Sequence, residues 1–357
     1  MIFEGKRVVI TGGTGSLGKV LVKRILTGEQ GTPSRLIVLS RDEGKQHKMR
    51  LQYLHKSTST DEVIYNNFKN ILEFVIGDVR DYGDVCRALS NADIVINAAA
   101  LKQVPTCEYF PEQAIMTNCM GAHNITRAIR EHGYKVATVV GVSTDKATKP
   151  VNVMGMSKAI QERLFIAAAL FNPDTKFVCV RYGNVLASRG SVIPLFHDQI
   201  LNDKPITITH QDMTRFLMSL NHAVDTIFNA IESGQSGETY IPIAPSSTVI
   251  NIAKALLEDR KNEIIYTGIR PGEKIHEILI SEEECRHTIK RGNFYAILPM
   301  LPELQERYHL PKEKMSLTSE YSSGNDLLSL EDTRALLHKH GLLIGQKPNF
   351  EDTEMLA

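Results

Sequence analysis

The feature that most constrains the fold is a glycine-rich turn between an apolar run and an amphipathic segment near the amino terminus. Lys6 to Ile10 leads into Thr-Gly-Gly-Thr-Gly-Ser-Leu-Gly at residues 11–18, and apolar residues then recur with helical spacing to Leu26. Strand, glycine turn and helix in this order form the element in which a helix N-terminus binds the phosphates of a dinucleotide. The pattern predicts a Rossmann-type fold that starts at the first strand.

Each glycine of this turn has its own expected role. Gly12 permits the tight turn, Gly15 lets the backbone approach a pyrophosphate, and Gly18 lets helix and strand pack closely. A turn without a ligand is the alternative, but the flanking strand and helix are the context that the motif requires. The cofactor-binding residues predicted here are Gly12, Thr14, Gly15, Ser16, Leu17 and Gly18.

The second apolar run, Arg35 to Leu39, bears on which dinucleotide binds. It ends at Ser40, Arg41 and Asp42. Dinucleotide folds place an acid here for the ribose of NAD, or a basic residue for the 2′-phosphate of NADP. Ser40 and Arg41 favour NADP, while Asp42 keeps NAD and an ordinary solvated Arg-Asp pair open.

Further apolar runs alternate with helical patterns, which predicts an α/β fold with a doubly wound parallel sheet and a smaller α/β substrate-binding lobe. We assign residues 1–186 to the nucleotide-binding domain, completed by parts of 215–245, and 187–300 to an interleaved substrate lobe. Residues 301–357 form a carboxyl-terminal arm for packing or subunit contact. The runs read as further strands are Leu72 to Ile76, Ile94 to Asn97, Val136 to Val142 and Phe177 to Arg181.

Other candidate cofactor contacts follow the third and fourth strands. Asp78 is placed to reach the adenine amine, with Val79 beside it, and Asp81 reads equally well as a helix N-cap. Asn118 interrupts a helical pattern from Pro111 to His132, where it holds a water or a bend, or else serves as an ordinary polar residue. Small residues that let a cofactor lie near the backbone are Ala98, Ala99 and Ala100.

The stretch from Ser143 to Lys158 carries the candidate chemistry. Asp145 and Lys146 put a carboxylic acid beside an amine just after a predicted strand, and open parallel sheets bind ligands at the carboxyl ends of their strands. General acid and base catalysis is therefore the first hypothesis. Lys158 begins a predicted helix, where its ammonium would reach the nicotinamide ribose. Met154, four residues earlier, is an apolar thioether.

Charge and cysteine content exclude several other classes of function. The 357 residues contain 41 Lys plus Arg and 41 Asp plus Glu without a long like-charge run, so neither nucleic-acid binding nor a polybasic membrane patch is indicated. Five cysteines without a CxxC pair suggest neither a disulfide framework nor a zinc site, and they fit a reduced cytoplasm. The apolar runs are too short to span a bilayer.

The composition of the sequence changes after Leu186, where arginines and turn-forming residues become frequent. Arg189, Arg215 and Arg270 are predicted to bind a diphosphate together, because guanidinium binds phosphate in a bidentate manner. Glu273 is predicted to accept hydrogen bonds from a ribose diol. Each of these residues has an ordinary surface role as its alternative. The remaining candidates for substrate binding are Lys102, Tyr182, Asn184 and Ser191.

Taken together, the motifs resemble the extended short-chain dehydrogenase/reductases, and within them the nucleotide-sugar 4,6-dehydratases. The Asp145-Lys146 pair resembles the inverting UDP-N-acetylglucosamine 4,6-dehydratases, whereas retaining sugar dehydratases typically show Asp-Glu. The resemblance implies NADP, a UDP-sugar substrate, a homo-oligomer (dimer or hexamer) and a role in surface-polysaccharide synthesis. The motifs that carry it are TGxxGxxG at 11–18, GDVRD at 77–81, AAALKxVP at 98–105, STDKA at 143–147, RYGNV at 181–185, SRGSVIP at 188–194 and RPGEK at 270–274.

That resemblance implies specific roles in an elimination. A neutral Lys146 amine removes the C5 proton of a 4-keto sugar, and a protonated Asp145 donates to the departing C6 hydroxyl. Met154 stands where the family usually has a tyrosine that handles the C4 hydroxyl, which leaves Thr144, Lys146, Asp145 or a water for that task. A retaining 4,6-dehydratase, a 4-epimerase and a non-catalytic NADP-binding sensor are the competing hypotheses.

Overall fold

The structure, a computed structural model, describes residues 1–54, 69–186, 191–307 and 316–346. The strands are β1 Arg7–Thr11, β2 Arg35–Ser40, β3 Leu72–Ile76, β4 Ile94–Asn97, β5 Thr138–Val142, β6 Lys176–Val180, β7 Ile206–Ile208, β8 Thr214–Phe216, β9 Thr239–Pro242, β10 Ser246–Thr248, β11 Ile264–Tyr266, β12 Ile278–Ile280, β13 Thr288–Arg291, β14 Phe294–Ile297 and β15 Tyr321–Ser322. The α-helices are α1 Ser16–Leu26, α2 Glu43–Leu54, α3 Tyr82–Leu89, α4 Val104–Tyr109, α5 Pro111–Ala114, α6 Gly121–His132, α7 Val153–Phe171, α8 Val192–Leu201, α9 Leu220–Ser233, α10 Val249–Leu257, α11 Glu282–Cys285, α12 Pro302–Arg307 and α13 Leu330–Lys339.

The main sheet confirms the predicted doubly wound α/β fold. Its strands lie in the order β13-β14-β9-β6-β5-β4-β1-β2-β3. The strands from β3 to β9 in that order run parallel, and β14 and β13 add an antiparallel edge. Because the winding reverses between β1 and β4, a crevice opens outside the carboxyl ends of these strands, where such folds bind ligands.

Successive residues of β1 point to opposite faces of the sheet, as strand geometry requires. Val8 and Ile10 pack in one buried cluster with Leu21 of α1 and Ile227 of α9. Val9 packs in the other cluster with helices α3, α6 and α7. Since helices cover both faces of the sheet, the central strands are apolar throughout. A ligand can therefore reach the sheet only at the crevice beside the carboxyl ends of these strands.

Several helices differ from the sequence-based prediction. Helix α7 begins at Val153 rather than at Lys158, because the Asn152 side chain caps it by accepting a hydrogen bond from the amide of Gly155, 2.8 Å away. Helix α4 starts within the predicted loop at 102–105. The helical pattern at 111–132 contains a π-helical turn, Ile115–Met120, between α5 and α6. The polar segment Gly44 to Asn70 is predicted from its sequence to form a helix and then a long surface loop; α2 is that helix, and residues 55–68 lie outside the described residues.

The second half of the chain adds three small sheets, β7 with β11, β8 with β10, and β12 with β15. Strand β15 belongs to the predicted carboxyl-terminal arm, so the described part of that arm packs against its own chain. Cys86 is partly exposed, and the other four cysteines are buried free thiols. Within the described ranges we find no helix that combines the length and the apolar character needed to cross a membrane.

Candidate active site

The glycine turn after β1 is packed tightly against the end of β4. A Cβ on Gly12 would lie 2.7 Å from Ala99 Cα, and the φ of Gly12 is +69°. A Cβ on Gly18 would collide with the backbone of Gly13. Thr11 Oγ1 donates to Asn97 Oδ1, 2.7 Å away, and fixes the two strand ends together. The turn thus has the shape that brings backbone amides close to a pyrophosphate.

Residues around the turn fit a dinucleotide. Gly15 precedes α1 in an extended conformation, so the helix N-terminus opens onto the crevice at the predicted phosphate position. The hydroxyl groups of Thr14 and Ser40 are 2.9 Å apart and join the turn to the end of β2. These residues, with Ser16, Leu17 and Gly18, would hold the cofactor, whose chemistry is hydride acceptance and donation.

The residues predicted to distinguish NADP from NAD lie at the rim of this crevice. Arg41 is exposed, and its NH1 atom lies 3.7 Å from Asp78 Oδ2. The same carboxylate accepts hydrogen bonds from Arg80, and although burial acts to raise its pKa, the arginine contacts hold the pKa of Asp78 below its usual value. Asp81 caps α3 by accepting from the amide of Asp84, so the N-cap reading of Asp81 is confirmed.

Asn118 has a definite structural task in the π-helical turn. Its Oδ1 accepts from the amide of Leu101 at 2.9 Å, and its Nδ2 donates to the Leu101 carbonyl and to Ser157 Oγ. The side chain therefore ties the segment after Ala98, Ala99 and Ala100 to helix α7. Val79 packs against Gly121 at the start of α6, where a Cβ would lie 2.9 Å from its side chain.

Met154 and Lys158 share helix α7 but meet different surroundings. Met154 is 4% exposed and packs in an apolar cluster with Cys107 and Ala114. Lys158 Nζ donates to the carbonyl of Val142 and to Gln161 Oε1, both at 2.6 Å. Burial lowers the pKa of Lys158 to about 8. The position that usually carries a tyrosine is thus apolar here, while the lysine of the motif is held at the end of β5.

The Asp145-Lys146 pair lies just beyond the end of β5, as predicted. Asp145 is fully buried, and its Oδ1 accepts from Thr144 Oγ1 at 2.8 Å and from Lys146 Nζ at 3.1 Å. Its Oδ2 is buried with no hydrogen-bond partner among the described residues. Burial raises the pKa of the Asp145 carboxyl, and the nearby ammonium only partly opposes that effect.

A second carboxylate, which the sequence analysis did not single out, also contacts Lys146. Glu277 Oε1 lies 3.2 Å from Lys146 Nζ, and the Glu277 side chain is 3% exposed. Burial alone would lower the pKa of Lys146, but the carboxylates of Asp145 and Glu277 outweigh it and raise that pKa. The neutral Lys146 amine that the resemblance implies is therefore not favoured by its surroundings, because two neighbouring acids raise the pKa of the ammonium.

The sequence offered one signal for Glu277: a single acid, after Ile275 and His276, next to the apolar run Ile278 to Ile280. A charged residue at the edge of a buried strand needs a partner. The partner lies far away in sequence, on the loop after β5, so only the folded chain reveals it.

The predicted substrate-binding arginines occupy unlike positions. Arg215 is buried, and its NH1 atom donates to the carbonyls of Thr214, Lys274 and Ile275 while its Nε lies 3.8 Å from Glu277 Oε1. Arg270 is exposed, with its NH1 atom 3.9 Å from Glu273 Oε1. Arg189 lies outside the described residues. Binding of a diphosphate by all three stays a prediction.

The loop that contains Arg270 and Glu273 is attached to the start of α7. Asn152 Nδ2 donates to the carbonyl of Gly272 at 2.8 Å, and Lys274 Nζ donates to the carbonyl of Thr148 at 2.6 Å. This loop therefore borders the Asp145-Lys146 segment. Buried polar atoms without hydrogen-bond partners among the described residues call for an explanation such as a ligand. They include Asn184 Oδ1, Ser191 Oγ, Glu273 Oε2 and Glu277 Oε2.

Two further residues predicted to contact the substrate, Tyr182 and Lys102, differ in burial. The carbonyl of Tyr182 accepts from the amide of Asp145 at 3.0 Å, and burial raises the pKa of the Tyr182 phenol. Lys102 is exposed on the segment before α4.

Behind the site, Arg181 forms hydrogen bonds with both Glu162 and Glu284. All three side chains are buried, so this group holds β6, α7 and α11 together.

The sheet order, the glycine turn and the lysine at the start of α7 together define the short-chain dehydrogenase/reductase class. The family model described as "Polysaccharide biosynthesis protein" matches residues 8–299, and the chain belongs to that family. A protein named UDP-glucose 4-epimerase from Rickettsia bellii (strain OSU 85-389) is 44% identical over 344 residues, which cover 94% of this chain and 96% of the relative. A protein of the same name from Rickettsia felis is also 44% identical over the same coverage.

Solved structures agree with the fold. The X-ray structure of Pen from Bacillus thuringiensis matches with a TM-score of 0.83 at 32% identity, and the match covers 96% of this chain and all of that one. DesIV, a dTDP-glucose 4,6-dehydratase from Streptomyces venezuelae crystallised with NAD and TYD, matches with a TM-score of 0.63 at 21% identity. That match covers 75% of this chain and 86% of DesIV, and it supports the fold alone.

Proposed function

We propose that this protein is an NADP-dependent 4,6-dehydratase that converts UDP-N-acetylglucosamine into a UDP-4-keto-6-deoxy-N-acetylhexosamine with inversion at C5. The observation that carries the proposal is the contact between Asp145 Oδ1 and Lys146 Nζ, 3.1 Å apart at the carboxyl end of β5. An elimination across C5 and C6 needs one group that removes a proton and another that donates one. These adjacent side chains supply both.

Asp145 is suited to the acid role. Burial raises its pKa and so favours the protonated carboxyl that a departing C6 hydroxyl requires as donor. Lys146, once its amine is neutral, takes the C5 proton. NADP, which Gly12, Gly15 and Gly18 of the glycine turn would hold, would supply the hydride chemistry of the reaction. In sum the sugar loses one water, and its C5 receives a proton on the opposite face.

Thr144 is the residue to which we assign contact with the C4 hydroxyl. Its hydroxyl already bonds Asp145 Oδ1 at 2.8 Å and also caps the short 3-10 turn at Asp145–Ala147. Met154 has no ionisable group, and its apolar cluster leaves it without a role in proton transfer. We therefore expect Thr144→Val to slow C4 oxidation much more than Thr144→Ser does, in single-turnover measurements of NADPH formation.

A 4-epimerase is the second candidate, because the Rickettsia relatives carry that name. Epimerisation at C4 needs hydride removal and return at the same carbon but no acid at C6. The fully buried Asp145 carboxyl lies beside an amine, and one of its oxygens has no partner among the residues that the structure describes, which is more than that reaction requires. The Asp145 carboxyl and the Lys146 amine together therefore favour elimination over epimerisation, and they also argue against a non-catalytic NADP-binding sensor.

Incubation of the purified protein with UDP-N-acetylglucosamine in deuterated water tests the proposal. The expected product has lost one water, carries deuterium at C5 and has the inverted C5 configuration by NMR. A product with retained configuration would identify a retaining dehydratase, and interconversion of UDP-glucose and UDP-galactose without loss of water would identify a 4-epimerase. Tight NADP binding without any turnover would identify a sensor.

The remaining parts of the proposal concern cofactor choice and assembly. Ser40 and the exposed Arg41 support a preference for NADP, which we expect Arg41→Ala to weaken relative to NAD binding. We also propose a cytoplasmic homo-oligomer, a dimer or a hexamer, that supplies precursors of surface polysaccharides such as capsule. Size-exclusion chromatography with light scattering measures the assembly directly.

A further inference from the structure

The amine of Lys146 bridges two carboxylates rather than one. Its Nζ lies 3.1 Å from Asp145 Oδ1 and 3.2 Å from Glu277 Oε1, so both acids are within hydrogen-bonding distance. Glu277 is nearly as buried as Asp145, and its Oε2 has no hydrogen-bond partner in the described part of the chain. Burial of a second acid here is unfavourable unless it has a specific task.

The backbone of Glu277 is fixed from the carboxyl-terminal segment. The amide of Glu277 donates to Ser323 Oγ at 2.9 Å, and the amide of Ser323 donates to the Glu277 carbonyl at 2.8 Å. Ser323 Oγ also lies 2.7 Å from Thr214 Oγ1. Because the main chain on both sides of this contact is held, the carboxylate has a defined position beside Lys146.

The charges around this group place the two acids in different states. Besides Lys146, Arg215 and the partly buried Lys274 act on Glu277, and they hold the pKa of Glu277 below its usual value although burial opposes them. The pKa of Asp145 is raised by burial. The surroundings therefore act on the two acids in opposite directions: burial favours the protonated form of Asp145, whereas the basic side chains favour the charged form of Glu277.

We propose that Glu277 is a positioning residue that accepts the proton of Lys146 and thereby turns its ammonium into the base of the dehydration. This inference rests on the proposed function. An Nζ–H bond of Lys146 breaks, the proton forms an O–H bond at Glu277 Oε1, and the electron pair stays on the nitrogen. That pair then takes the C5 proton of the 4-keto sugar. The C5–H electrons form the C5–C6 double bond, and the C6 hydroxyl leaves as water with the proton of Asp145.

The same bridge restores the acid for the next turnover. After the elimination Lys146 is again an ammonium, Glu277 is protonated and Asp145 is a carboxylate. Lys146 lies within hydrogen-bonding distance of both, so it passes one proton to Asp145 Oδ1 and receives one from Glu277 Oε1. Two protons move within the group and no charge is created, while the proton lost from the C4 hydroxyl passes to water and the proton gained at C5 comes from water.

The test compares Glu277→Gln, Glu277→Asp and wild type, with Glu238→Gln as the matched control. Glu238 is also a buried, paired glutamate, but its partner is Arg291 at the end of β13. The first measurement is deuterium exchange at C5 as a function of pH. We expect exchange by Glu277→Gln to fall by about 10²–10⁴-fold at neutral pH. Its rate should rise with pH, because the proton of Lys146 must now leave to solvent, whereas wild type shows no such rise near neutrality.

The second measurement does not depend on any reaction. The pH at which Lys146 becomes reactive toward an amine-specific acylating reagent, read by mass spectrometry, reports its pKa. Loss of the negative charge of Glu277 should lower that pKa by about 1–3 units in Glu277→Gln. Glu277→Asp keeps the charge and should lower it less, while losing C5 exchange through its shorter reach. Melting temperature and NADP affinity show whether each variant is folded.

The outcomes separate this inference from the proposed function. An unchanged Lys146 pKa and an unchanged C5 exchange profile in folded Glu277→Gln would overturn the inference while wild-type dehydration stands. A lowered Lys146 pKa in a protein whose wild type releases no water would support the proton bridge and refute the dehydratase. Equal loss of exchange in Glu277→Gln and Glu238→Gln would show that only stability had changed, which also overturns the inference.

Discussion

Replacement of Gly12 by alanine tests whether the glycine turn is shaped by close contact with β4. Gly12 has a φ of +69°, and an added Cβ would lie 2.7 Å from Ala99 Cα and 2.8 Å from Ala99 N. Gly133, at the end of α6, provides a matched control. Its φ is +62°, and nothing in the described parts of the chain lies within 4 Å of an added Cβ. Both substitutions force a non-glycine residue into a left-handed backbone conformation, but only the Cβ added at Gly12 collides with Ala99.

The magnitudes follow from that comparison. A left-handed conformation costs a non-glycine residue about 1–2 kcal/mol, and the reduced freedom of the unfolded chain offsets about 0.4–1 kcal/mol of it. Gly133→Ala should therefore lower the free energy of unfolding by about 1 kcal/mol. At Gly12 the backbone of Ala99 must shift as well, and forced overpacking adds about 1–3 kcal/mol.

Urea unfolding of the cofactor-free protein measures the stability difference, and calorimetric titration measures NADP binding. We expect Gly12→Ala to be the less stable variant and to bind NADP at least about tenfold more weakly, a loss of about 1.4 kcal/mol. Gly133→Ala should bind NADP as the unsubstituted protein does. Equal unfolding midpoints for the two variants, with NADP affinity unchanged in both, would refute the argument from close packing.

Substitutions at three other positions probe the buried side chains around the site. Arg181→Met leaves Glu162 and Glu284 buried without their partner and should lower the free energy of unfolding by about 3–5 kcal/mol in urea titrations. Met154→Leu conserves volume in an apolar cluster and should change the free energy of unfolding by less than about 1.5 kcal/mol. Met154→Tyr overpacks the same cluster and should lower the free energy of unfolding by about 1–3 kcal/mol without creating a new base. Thermal melts measure the stability of both variants, and C5 exchange shows whether the tyrosine acts as a base. The pKa of Lys158 is about 8 in the folded protein, below the value of about 10.4 in the unfolded chain. Between these two pH values the unfolded state binds more protons than the folded state, so the free energy of unfolding should rise with pH there. Lys158→Met should remove that rise in urea midpoints at pH 8 and pH 10.

Local patterns predicted the first half of the fold well. β3 and β4 begin and end at the predicted residues, because apolar runs bounded by turn residues give an unambiguous signal. The start of α7 was missed by five residues, since Asn152 acts as an N-cap only once the following backbone turns into the helix. The π-helical turn around Asn118 depends on contacts with Leu101 and Ser157, which local periodicity does not encode.

Local sequence patterns predicted only part of the chemistry of the candidate site. Asp145 and Lys146 are adjacent in sequence, so their pairing could be inferred directly. Glu277 reaches Lys146 through a long-range contact, and together with Asp145 it raises the pKa of the amine, which burial alone would lower. Anion binding by Arg215 stays a prediction, and the sequence did not indicate that its NH1 atom also donates to the carbonyls of Thr214, Lys274 and Ile275.

The hydrogen bonds between Ser323 and Glu277 have a consequence for how the chain matures during synthesis. The first six strands and the Asp145-Lys146 pair leave the ribosome long before Ser323 does. Until that segment docks, nothing clamps Glu277 from the carboxyl-terminal side, and Lys146 lacks a firmly held second acid. A nascent chain therefore acquires its nucleotide-binding half early and its complete proton-transfer group last, so products truncated before Ser323 are expected to bind the dinucleotide better than they turn over.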